Sequence, residues 1–218
     1  MIFGGSWGWL TLLLLGAYHG INPAMGWLFA VALGMQERSR RAVIRSLLPI
    51  ALGHGASIGA VVLIAGVAGS VVPLKWLKIP VAGILLFLGS YRLFRSRHPR
   101  WGGMQVGFRD LTVWSFLMAS AHGAGFMVLP VLLGMSAEIL GSHAHSAGQH
   151  LHGNSFQDPR LSLIATVVHT FGYLVVTGAT AWLVYERVGL AILRKAWLNL
   201  DLLWAAALIL TGIFTLFL

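Results

Sequence analysis

The chain has 218 residues, 57% of them hydrophobic and 10% charged, with a mean hydropathy of +0.81, a net charge of +9 and no cysteine. A soluble domain carries about 25% charged residues, so the composition points to an all-α integral membrane protein with little chain left for a soluble domain. The lack of cysteine excludes disulfides, thiolate metal sites and dithiol relays.

Six apolar stretches, near residues 10–35, 46–72, 75–94, 111–136, 161–185 and 196–218, are predicted as membrane-spanning helices. Each is close to the ~20 residues that cross a ~30 Å hydrocarbon core. The first contains "GAYHGINPAMGWLFAVALGM", Gly16 to Met35, which has no formal charge but includes His19, Asn22 and Pro23. Residues 1–9 hold no Lys or Arg and the apolar run outlasts a leader, so a span and not a cleaved signal is expected. Pro23 removes the amide that would bond the His19 carbonyl, so a kink is predicted, with that carbonyl left to coordinate a cation.

The second span carries His54, and the third is short between Lys78 and Arg92, whose side chains must snorkel. The fourth carries His122, with Met118 one turn earlier, and the fifth carries His169. Between those two spans an external loop, 137–160, holds His143, His145, His150 and His152 in a Gly/Ser/Ala setting. Short histidine-rich tracts are compositional signals for metal capture. Asp201 is the one acid inside a span, and reads either as a supporting counter-charge or proton acceptor, or as an interfacial cap paired with Lys195.

The basic charge is unevenly spread. With both termini outside, twelve Lys and Arg fall in the three inside loops, against Lys75, Lys78 and Arg160 outside. This split follows the positive-inside rule, so the charge sets topology and meets anionic lipid; a nucleic-acid partner is not expected. In a bacterium the location would be the cytoplasmic membrane.

Spacings recur between the halves. His19 lies 18 residues before Glu37 and His122 lies 16 before Glu138, while His54 and His169 each follow an arginine by nine. The chain thus reads as two three-helix repeats, 1–95 and 111–218, joined by a basic cytoplasmic linker, 96–110. Three spans per copy force opposite orientations, the inverted plan of transporters whose sites lie between the halves.

Polar groups in hydrocarbon are costly and default to function, so His19, His54, His122 and His169 are the candidate site, with Asn22, Pro23 and Asp201 in support. Neutral imidazole suits zinc, nickel, cobalt, copper or iron. Its ordinary pKa of about 6.5 makes metal binding exchange for a proton. His19 with His54, and His122 with His169, are expected to approach each other about a pseudo-twofold axis. No phosphate-cradling loop, nucleophile arrangement or carboxylate pair is present, so no enzyme activity is expected.

This plan resembles the lysine-exporter superfamily of small six-span proteins, which includes the NicO nickel/cobalt transporters, the HupE/UreJ accessory permeases and the CcdA-like thiol carriers. The likeness covers most of the chain as a plan, 3+3 inverted spans with polar motifs in the first span of each half, and extends to the His-rich loop. The NicO pattern of His, four residues, then Asp-His is absent, since His19 is followed by "GINPAM", and the HupE His-Pro pattern is absent too. Only His19 and His122 carry over, as analogous first-span histidines. Residues and resemblance together imply a proton-coupled transporter of a transition-metal cation: nickel, cobalt, zinc or copper. Histidine-ligated haem in a redox protein, small-solute export and an accessory-subunit role are the alternatives, with homo-oligomer assembly left open.

Overall fold

The computed structural model describes residues 6–71, 74–94, 107–143, 159–188 and 200–217. Among the described residues every element is helical. In chain order these are α1 (Ser6–Ile21), a 3-10 turn (Pro23–Met25), α2 (Trp27–Gln36), α3 (Arg40–Val71), α4 (Leu74–Phe94), α5 (Phe108–Ala121), α6 (Ala124–His143), α7 (Pro159–Leu183) and α8 (Leu200–Phe217). A π turn, Val184–Val188, continues α7.

The first helix stops where proline chemistry dictates. A residue before proline is pushed out of the helical region, and Asn22 is extended at φ −69°, ψ 121°. Its side chain accepts from the Ala24 amide at 3.0 Å, capping the short turn. Gly26 at φ +133° then redirects the chain, a conformation L side chains rarely adopt. The Trp27 indole donates to the Ile21 carbonyl at 2.9 Å, satisfying an acceptor at the helix end. Contrary to the expectation from Pro23, the His19 carbonyl is not left vacant: it accepts from the Asn22 amide at 3.3 Å. The chain tightens to a three-residue bond before Pro23, so the lost proline amide leaves no carbonyl vacant at His19.

The fourth apolar stretch is also broken, without a proline at the break. α5 ends at Ala121, Gly123 has φ +72°, and the two segments Phe108–Ala121 and Ala124–Met135 meet at 58°. The prolines at 49, 80 and 130 instead sit inside α3, α4 and α6.

Among the described residues two helices, over Arg40–Gly69 and Pro159–Arg187, are long and apolar enough to cross a membrane, and a third span qualifies if the bent α5–α6 pair is one. Trp27–Gln36, Lys78–Tyr91 and Ala205–Phe217 are shorter apolar helices. The outward faces carry large apolar side chains, among them Trp7, Leu63, Ile64, Phe87, Leu163 and Phe217. Histidine, serine and threonine are buried instead: His19, His54, Ser57, Ser115, His122, His169 and Thr177. This is the reverse of a water-soluble distribution, in which extended exposed apolar surface is rare.

Packing is pairwise. α1 lies along α7, α3 along α5, and α4 along α8, while α3 and α7 also touch each other. α2 rests on α3 and α7, and α6 on α3. The interior is filled by Leu12, Met25, Ile50, Ile58, Leu85, Met127, Leu132 and Leu208.

Candidate functional site

Three imidazoles meet where α1, α3 and α7 converge. The approach of α1 to α7 is set by glycine: a Cβ on Gly16 would stand 2.0 Å from the His169 carbonyl oxygen, and one on Gly172 2.3 Å from that of Leu13. Backbone therefore lies on backbone, the small-residue contact of membrane helix pairs. The contact brings the His19 and His169 rings to 5.0 Å between centres. α3 supplies His54, whose ring centre is 5.7 Å from His19 and 5.6 Å from His169. All three rings are fully buried.

Local bonding fixes one tautomer. The His19 Nδ1 lies 2.7 Å from the Leu15 carbonyl. A carbonyl only accepts, so Nδ1 carries the hydrogen and Nε2 keeps the lone pair. Metal-binding histidines are commonly oriented in this way, by donating the other ring N–H. Both nitrogens of His54 are buried without a hydrogen-bond partner. Such an unsatisfied group costs about 1–3 kcal/mol. Neither nitrogen of His169 makes a well-formed bond, although the Leu12 carbonyl lies near its ring.

Tyr173 completes the cluster. It is fully buried and stacks on His54, with 3.7 Å between ring centres and planes within 7°. Its hydroxyl donates to the Met25 carbonyl in the turn after Pro23. The break between α1 and α2 and the imidazole cluster are therefore in contact through one phenol. Sequence reasoning passed over Tyr173; the available signal was its position four residues, one helical turn, after His169.

His122 is also fully buried. It sits at the end of α5, where its Nδ1 donates to the Met118 carbonyl at 2.8 Å, the same bond four residues back that His19 makes. The neighbouring Gly123 faces Leu88 of α4 and Leu208 of α8. Asn22 and Pro23 lie at the first break as turn-formers. Asp201 is the second residue of α8, with its side chain outside the described residues. His143 closes α6, and the side chain of His143, like residues His145, His150 and His152, lies outside what is described.

Ring spacing and ligand convergence are separate matters. Three imidazoles held about 2 Å from one ion by nitrogen would place their ring centres roughly 5 Å apart, close to the spacing observed. Yet no three His, Asp or Glu side chains among the described residues stand ready to hold a metal ion. The rings of His54 and His169 are nearly parallel, at 6°.

No protein-family model matches the chain, and no curated protein and no solved structure is significantly similar to it.

Proposed function

We propose that the chain is a multi-pass membrane transporter of a transition-metal cation, with His19, His54 and His169 forming the intramembrane binding point. The observation that carries this reading is His54: a fully buried imidazole with both nitrogens unsatisfied, ringed by two further imidazoles at 5.6–5.7 Å. Without a ligand this arrangement is costly; with a cation, rotation of the rings about Cβ–Cγ turns the same nitrogens into donors. His122 belongs to another stage of the path. The loop histidines His143, His145, His150 and His152 raise local metal concentration at the outer mouth.

The six-span inverted repeat is part of the same proposal. Exchanging the halves maps α1 on α7 to α5 on α3, and α2 on α7 to α6 on α3, and each of these pairs is in contact. Both first spans break after their histidine, and His19 and His122 make the same bond to the carbonyl four residues back. Such correspondences support gene duplication with inversion, the architecture of alternating-access carriers.

Haem fits less well. Two imidazoles on one iron would sit about 6 Å apart between ring centres with a macrocycle between them. Here the pairs lie at 5.0–5.7 Å, each with a third imidazole against it.

The test is elemental analysis and absorption of the protein in lipid nanodiscs. With His143, His145, His150 and His152 changed to Ala so that the loop holds no metal, about one transition-metal ion per chain is expected, lost on adding His54→Ala, with no Soret band. Metal retained by His54→Ala, or no metal at any pH, would overturn the reading.

A further inference from the structure

We infer that the cation taken by this cluster is monovalent, a soft low-coordinate ion of the copper(I) or silver(I) kind, and not a divalent one. The inference rests on the metal-transport reading and sharpens it through charge and coordination number.

Charge comes first. The three helices that carry the rings, Ser6–Ile21, Arg40–Val71 and Pro159–Leu183, contain no Asp or Glu. The chain has only six acids: Glu37, Asp110, Glu138, Asp158, Glu186 and Asp201. Glu37 and Asp110 are exposed, the latter bonded to the Gly107 amide, and Glu186 is tied to Arg40. Glu138 lies fourteen residues along α6 from Ala124, Asp158 precedes α7 outside the described residues, and Asp201 opens α8, which packs chiefly on α4. The buried polar side chains described are His, Asn, Ser and Thr, which present no carboxylate. Among the described residues no carboxylate is buried with the rings, so an ion there keeps its full charge in a medium of low dielectric constant. The cost of transferring an ion from water grows with the square of its charge, so a dication pays about four times what a monocation of equal size does.

Coordination number points the same way. His19, His54, His169 and Tyr173 are all at 0% exposure. At that exposure no water-sized space touches these side chains to hold the fourth ligand that zinc takes in a three-histidine site, or the larger sets preferred by nickel and cobalt. A monovalent d10 ion is satisfied by two or three nitrogen donors alone. Nearby Met25 is buried too, and its thioether is another neutral, soft donor.

The experiment uses the full chain in nanodiscs, with His143, His145, His150 and His152 changed to Ala so that the loop does not report. Silver(I), and copper(I) kept reduced with ascorbate, are compared with zinc(II), nickel(II) and cobalt(II). One silver per chain is expected, displaced by copper(I), resistant to a large excess of each divalent ion, and lost in His54→Ala and His169→Ala. X-ray absorption at the copper edge, which needs no site variant, should give two or three nitrogen neighbours. A divalent ion that binds as tightly as silver and is lost in His54→Ala overturns the monovalent inference and leaves metal transport standing. Silver that survives all the histidine variants overturns it as well. If no metal of either charge binds, the transport reading itself falls.

Discussion

Tyr173 holds His54 in place by its face, and the two parts of its side chain can be separated experimentally. The ring stacks on the imidazole, while the hydroxyl donates to Met25 across the first break. Tyr173→Phe keeps the stack and leaves a buried carbonyl without that donor, a loss of about 0.5–1.5 kcal/mol. Tyr173→Ala removes the ring and leaves a cavity, about 3–5 kcal/mol by the usual aromatic-to-alanine cost. Thermal unfolding in nanodiscs should rank the two, and metal stoichiometry should persist in the Phe variant and fail in the Ala variant. Equal damage from both would mean that the hydroxyl, not the stack, organises the site. At this scale the sequence is informative about cost: four histidines in apolar runs mark groups that need a reason to be there. Which of them meet depends on helix rotation, and the offsets that relate His19 to His122 are equally compatible with either joining His54 and His169. The structure assembles His19 with both, through Gly16.

Among the elements, glycines separate into those that hold helices together and those that do not. A Cβ on Gly16 would meet the His169 backbone carbonyl, which cannot swing aside, whereas one on Gly59 of α3 would meet nothing within 4 Å. Gly16→Ala should therefore push α1 off α7, separate His19 from His169, and lower both melting temperature and metal binding. Gly59→Ala should be neutral, or stabilising by the roughly 0.5–1 kcal/mol that alanine gains over glycine in a helix. If the two variants melt alike, the close α1–α7 approach is not what positions the site. Helix ends show where local chemistry is readable. Asn22-Pro23 announces its break, because proline restricts its predecessor and gives up a donor. The His122-Gly123 break has no such signal: it rests on a glycine at φ +72°, while Pro130 continues within α6. Proline interrupts a helix only when neighbouring elements do not re-satisfy the backbone, and that is settled by packing.

For the whole molecule, the strongest sequence signal is the distribution of basic residues, and one ion pair gives it a structural counterpart. Arg40 at the start of α3 meets Glu186 beyond the end of α7, at 2.6 Å and 2.9 Å, with its guanidinium over the Trp182 ring. The pair is partly exposed, so it adds little stability, but it sets the loop before α3 and the exit of α7 at one end of the bundle. In the proposed six-span thread those segments are separated by four crossings and must lie on one side. In that proposed thread the same side would carry loops 36–45, 92–110 and 186–195, which hold twelve of the fifteen Lys and Arg. Positively charged loops are retained in the cytoplasm, so the paired ends should be cytoplasmic and the histidine loop external. Reporter fusions truncated at Met104 and Gly148 test this directly. Met104 should give cytoplasmic fluorescence without alkaline phosphatase activity, and Gly148 the reverse. Matching signals from both would mean that α5 and α6 do not cross as one bent span. The inverted arrangement of the halves would then fail, even if the three imidazoles remained together.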